Sequence, residues 1–172
     1  MSTRSHIGFI KGNQITYIYC HSDGYPEYNG RMLQKHYTDK EKIENLVKLG
    51  DISFLEKNLY PKEGEEHSFN GPRADGVVVA YHRDRGEDWE DVQPEIQEID
   101  NFDEIWNTAF IQGRWAEYSY LYNMNDEDFG KIQPGKWGLM STDRYRKPIY
   151  KDLETEYKKI MDGSRIKIWS HY

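Results

Sequence analysis

Two stretches of this 172-residue sequence put a histidine, carboxylates and other polar groups directly after apolar runs. They are Cys20-His21-Ser22-Asp23-Gly24-Tyr25 and Tyr81-His82-Arg83-Asp84-Arg85-Gly86-Glu87. Both runs read as buried strands, and loops at strand ends are where ligand groups converge on a rigid scaffold. Their glycines let a backbone approach a ligand closely. Three chemistries fit these residue types. A metal could take His21, Asp23, His82 and Asp84 as nitrogen and oxygen ligands, although His-x-Asp is a low-information spacing. His21 or His82, oriented by an aspartate, could act as acid or base, with Cys20 as a conceivable thiol. Neighbouring residues on a strand face opposite ways, which weakens a direct Cys20-His21 pair.

The third chemistry is non-covalent recognition of a phosphorylated or otherwise anionic small molecule. Arg83 and Arg85 would supply forked donors, Tyr25, Tyr28 and Tyr37 would stack on a base, and His21 and Asp23 would read polar edges. The binding set under this reading is His21, Asp23, Tyr25, Tyr28, His82, Arg83, Asp84 and Arg85. It assigns no catalytic residue, metal or cofactor, and favours binding over turnover. A purely structural role competes with all three: Asp84 pairs with Arg83 or Arg85, Asp23 caps its turn, and the tyrosines and His36 belong to the core. No Walker P-loop, GxGxxG, HExxH, GxSxG or zinc-ribbon pattern occurs.

The elements that must position these residues follow from local pattern. His6 to Lys11 and Ile15 to His21 are strand-like around Gly12-Asn13, which predicts an opening β-hairpin. Ser22 to Pro26 is a turn, and a short helix follows with Met32, Leu33, His36 and Tyr37 on one side. Thr38 and Glu41 read as a capping box for a helix with Ile43, Leu46 and Val47 inward and Gly50 at its end. Asp51 would cap one more turn through Leu55. Pro61 to Pro72 reads as an exposed loop, and Gly76 to Tyr81 as a strand covered on both faces. A short helix is predicted over Asp103 to Phe110, and strands over Arg114 to Tyr122 and Lys136 to Ser141. The last helix would start at Pro148 and end at Gly163, before a strand-like run from Ile166 to Trp169. The predicted fold is α+β, a single compact domain with a mainly antiparallel sheet, an N-terminal hairpin and about three to four helices.

Charge is segregated. Residues 1–86 carry 12 basic and 12 acidic groups, residues 87–128 carry 1 and 13, and residues 129–172 carry 10 and 5. An acidic elaboration over 87–128 and a basic C-terminal part are therefore expected within one domain. The acidic block disfavours a phosphate backbone as partner, and no basic recognition helix appears. It could instead be a solvated face or a surface for a basic protein. One cysteine excludes an internal disulfide, and no stretch is apolar for long enough to cross a bilayer. A cytoplasmic location is expected, and exposed aromatics are compatible with a homodimer.

Met1-Ser2-Thr3-Arg4-Ser5, Ile18 to Glu27, Leu49-Gly50-Asp51-Ile52-Ser53 and Ala80 to Glu87 resemble a group of small proteins of tailed bacteriophages and prophages, over roughly the first half of the chain. Ser22 departs from the pattern, where similar sequences suggest an aromatic residue. The resemblance implies an accessory protein acting in the host cytoplasm against bacterial defence. Such a protein would sequester a nucleotide-derived immune signal, block a host defence protein through an acidic surface, or hydrolyse the signal with His and Asp.

Overall fold

The computed structural model describes residues 2–170, with side-chain surroundings given through Gly163. Strands β1 (Ser5–Lys11) and β2 (Gln14–Cys20) form the expected antiparallel hairpin, with Gly12 in the left-handed region at φ 65°. A π-helical turn, Pro26–Gly30, leads into α1 (Arg31–His36) and α2 (Lys40–Lys48). The cap of α2 is Asp39 rather than Thr38, because the Asp39 side chain accepts the Glu41 N–H. Next come β3 (Ile52–Phe54), β4 (Val79–Ala80), α3 (Tyr81–Arg85), α4 (Trp89–Val92) and β5 (Glu95–Glu98). A 3-10 segment Phe102–Asn107, α5 (Ala109–Gln112) and a 3-10 turn Gly113–Trp115 precede β6 (Tyr118–Asn123), β7 (Trp137–Thr142), β8 (Pro148–Asp152) and α6 (Leu153–Ser170).

All eight strands belong to one sheet, in the order β4-β3-β2-β1-β6-β7-β8, with β5 also paired to β2. Pairing is mainly antiparallel; β1 with β6 and β2 with β3 are the parallel exceptions. Side chains alternate across the sheet. One face carries Ile7, Ile18, Cys20 and Tyr120 and is covered by Leu33 and Tyr37, by Ile43 and Leu46 of α2, and by Leu153 of α6. The other carries His6, Tyr17, Tyr19 and Ser119, with Phe110, Ile111, Ile105 and Ile99 packed against its inner part. Each such apolar side chain, fully buried, contributes roughly 1.5–3 kcal/mol before ordering costs.

Several local expectations yield to long-range pairing. Asp51 caps no helical turn, since Ile52–Phe54 joins the sheet between β2 and β4. The run from Gly76 contributes only Val79–Ala80 to a strand, and Tyr81 opens a helix, so His82 sits in the first turn of α3 and not at a strand end. Pro148 begins an edge strand, where its missing N–H costs nothing, and α6 starts after Asp152, whose carboxylate takes the Thr155 N–H and hydroxyl. Gly163 does not end that helix, and 166–169 are helical rather than extended. The predicted strand from Arg114 begins only at Tyr118.

Candidate functional site

Strand β2 has an outer edge shared by two partners. β5 pairs with its Gln14 to Tyr17, and β3 joins at Cys20, which leaves the Tyr19 N–H between them. Asp51 fills that gap: Oδ1 accepts the Tyr19 N–H at 2.9 Å. Gly50, at φ 80°, lets the chain turn from α2 into this position, with the carbonyl of Val92 only 2.5 Å from where a Cβ would stand. The second Asp51 oxygen takes Arg114 Nη1 at 2.8 Å. Arg114 Nη2 lies 3.7 Å from Glu95 Oε1, and the guanidinium sits 5.1 Å from the Tyr19 ring centre. The Tyr17 hydroxyl donates to Glu95 Oε2 at 2.7 Å.

Electrostatics in this cluster follow burial. Burial pushes the Asp51 carboxyl above its usual range, outweighing the Tyr19 N–H and the Arg114 charge that pull it down. The Tyr17 hydroxyl is raised by burial and by Glu95. His6, with no exposed surface, falls to about 4, chiefly through burial. Its Nδ1 lies 2.7 Å from the Phe110 carbonyl, which can only accept, so Nδ1 carries the hydrogen. In the neutral ring Nε2 is then a bare acceptor, buried and without a hydrogen-bond partner; Arg114 Nη2 is likewise buried without a hydrogen bond, with the Glu95 carboxylate 3.7 Å away.

Arg114 and Trp115 both have positive φ, 50° and 61°. Non-glycine residues held there cost roughly 1–3 kcal/mol each and cluster at ligand clamps. The conformation keeps Arg114 on Asp51 while Trp115 stands 81% exposed. Both line a groove of about 940 Å³, with Trp106 from the 3-10 segment, Tyr118 from β6, and Arg146 and Lys151 from the β7–β8 hairpin. The hairpin turn is basic: Arg144, Arg146 and Lys147 are exposed. Its Asp143 carboxylate faces inward, accepting the Tyr145 N–H at 2.8 Å and the Lys147 N–H at 2.9 Å. The groove thus joins exposed indole surface to cations, an arrangement suited to a planar ring bearing negative charge.

The eight residues expected from sequence are placed elsewhere. Cys20, Ile52 and Ala80 lie side by side across β2, β3 and β4, so the two segments are about two strand spacings apart, roughly 10 Å. Because β4 runs antiparallel to β2, the chain leaves their ends in opposite directions. His21 is held by its backbone N–H on Ile52 O at 3.1 Å and by Nδ1 at 2.7 Å from the Tyr19 hydroxyl. Asp23 adopts φ 54°, and its charge and hydrogen bond raise Tyr25. The Tyr28 hydroxyl bonds Leu55 O and Glu56 and its ring packs on Phe54.

On the other segment, His82 Nδ1 donates to Glu87 O at 2.8 Å and its ring meets Trp89 edge-on. Arg83 is spent on Asp84, Leu59 O and Val78 O. Asp84 accepts the Ala80 N–H at 2.7 Å and lies 3.3 Å from His67 Nε2. Arg85 lies 3.4 Å from Glu87 and over the Phe69 ring. None of the eight lines the groove. Nor, among the described residues, do three or more His, Cys, Asp or Glu converge as metal ligands. Cys20 is buried, with its thiol pushed up to about 11 by burial.

Sequence reasoning passed over Arg114, although it had a signal: Arg114 is the single basic residue among 13 acidic ones in 87–128. A lone cation in such a block has carboxylates to bind. Comparison of the chain with family models, with curated proteins and with solved structures gives no match in any of the three. Among the described residues no helix is long and apolar enough to cross a membrane.

Proposed function

We propose that this chain is a binding module that sequesters an anionic small molecule carrying an aromatic ring, of the nucleotide-derived class, in the groove beside Arg114. The observation that carries the reading is the composition of that groove: Trp106 and Trp115 come from one side of the chain's path, and Arg146 and Lys151 from the hairpin beside it. An indole face accepts any base, worth about 1–3 kcal/mol per stacked ring, while the hairpin cations neutralise phosphate. Arg114 is already bonded to Asp51. Its role is to hold Trp115 in place, and the charge for a ligand comes from the hairpin: Arg146 is exposed, while Lys151 lies 3.5 Å from Glu156. A phage accessory protein that removes a host immune signal is the biological setting this reading fits.

Sequestration is favoured over cleavage because no histidine, cysteine or aspartate lines the groove, and its one carboxylate, the exposed Glu117, has no acid or base of that kind beside it in the lining. The test is incubation with a panel of cyclic and ADP-ribose-derived nucleotides, followed by heat release and mass analysis. Intact nucleotide recovered from wild type, and lost from Trp115→Ala and Arg146→Ala, supports the reading. Altered mass, or no binding across the panel, overturns it.

A further inference from the structure

Strand β5 presents an outer edge of its own, beside the sheet ends at β4 and β8. Its register with β2 pairs Glu98 with Gln14, Gln97 with Ile15, Ile96 with Thr16 and Glu95 with Tyr17. Just beyond it, the Ile99 N–H donates to Asn13 O at 2.9 Å. In an antiparallel pair, hydrogen-bonded positions recur at every second residue. Ile99, Gln97 and Glu95 therefore turn their N–H and C=O toward β2, while Ile96 and Glu98 turn theirs away. Among the described residues β5 pairs with β2 alone. The Glu98 carbonyl takes the Gln97 side-chain amide at 2.9 Å, and the Ile96 N–H and C=O with the Glu98 N–H form a short open edge able to template another strand.

Two features decide what fits there. Ile96 is 63% exposed on the sheet face opposite Glu95, an apolar side chain with nothing over it. From Glu87 through Gly113 the chain has nine acidic residues and no Lys, Arg or His. A second copy docking β5 against β5 would bring two copies of this acidic segment together, and like charge disfavours that pairing. We propose that the β5 edge binds an extended, basic segment of a partner protein by strand addition, with Ile96 as its apolar anchor. The acidic surroundings speed encounter and reject acidic strands and further copies of the chain. No residue of β5 lines the groove.

The probe is a short capped peptide alternating lysine and valine, titrated onto the full chain while amide hydrogen exchange is followed by NMR. Exchange should slow at the Ile96 and Glu98 amides and stay unchanged at Glu95 and Gln97, which are already bonded to β2. Ile96→Pro removes an outward N–H together with the isoleucine anchor and leaves the bonds to β2 in place, so the fold should persist and affinity should drop by at least roughly tenfold, the loss of one strand hydrogen bond with the anchor's burial added. Should that variant fail to fold, the same peptide N-methylated at alternate residues is applied to wild type and should bind correspondingly more weakly. Unchanged exchange at Ile96 and Glu98 under saturating peptide overturns the proposal. Equal binding of the N-methylated peptide does so too, since it would mean mere charge attraction.

Discussion

Replacing His6 by glutamine should change how stability responds to acid. His6 is fully buried, and burial lowers its pKa from 6.5 to about 4. A histidine whose folded pKa is depressed contributes its stability above the unfolded value; that contribution is lost as pH falls from 6.5 toward 4, because the unfolded chain takes the proton first. Each pH unit of separation corresponds to 1.36 kcal/mol, so the loss from this residue alone is about 3 kcal/mol by pH 4. Asp51, whose pKa is raised, acts with the opposite sign: the folded state takes its proton earlier, which favours folding as pH drops. Both chains share that contribution, together with every other carboxylate. The difference between wild type and His6→Gln therefore isolates His6. Glutamine can still donate to the Phe110 carbonyl but does not titrate. Urea unfolding followed by tryptophan fluorescence at pH 7 and pH 4.5 should show a wild-type advantage at neutral pH that shrinks by about 2–3 kcal/mol at the lower pH. A difference that stays constant between the two pH values would refute the assignment of His6 as a buried neutral ring.

Three further outcomes are expected. Arg114→Met should cost about 2–4 kcal/mol in denaturant unfolding, since it leaves the buried Asp51 carboxylate with the Tyr19 N–H alone; adding Asp51→Asn should recover part of that loss. His67→Ala should open the segment before β4. His67 Nδ1 accepts the Ala74 N–H at 3.0 Å and Nε2 donates to Val78 O at 2.9 Å, so limited proteolysis should shift to sites between 61 and 75, with about 1–3 kcal/mol lost. The Cys20 thiol should resist a thiol reagent at pH 8 in the native protein and react only as the chain unfolds, because it is fully buried and titrates near 11; rapid labelling of the native state would contradict this.

Wherever neighbours along the chain decide the conformation, the structure could be read from residues. Gly12-Asn13 makes the hairpin because the turn needs φ above zero, and Ile43, Leu46 and Val47 mark α2 because their spacing places them on one face. The α+β class and the mainly antiparallel sheet follow from such local pieces. Where a segment had two acceptable local states, tertiary partners chose. The tail of the apolar run from Gly76 turned helical at Tyr81, where Asp84 caps the Ala80 N–H. Pro148 to Asp152 became the last strand because β7 offered an edge.

The candidate site shows the same division. Residues 20–28 and 82–87 drew notice as polar clusters beside apolar runs, yet the polarity of Arg83 and Asp84 serves to tie down the loop before β4. Nothing local relates Arg114 to Asp51, 63 positions away, or His6 to Phe110, 104 positions away. Those contacts exist because β6 pairs in parallel with β1 and carries the preceding 3-10 turn across the sheet. What the sequence determined by itself was the inventory of local elements and of charge, including a single arginine in an acidic block. Only the tertiary structure decided which of those charges meet, because pairing between distant strands depends on the summed burial of whole faces, which no local pattern encodes.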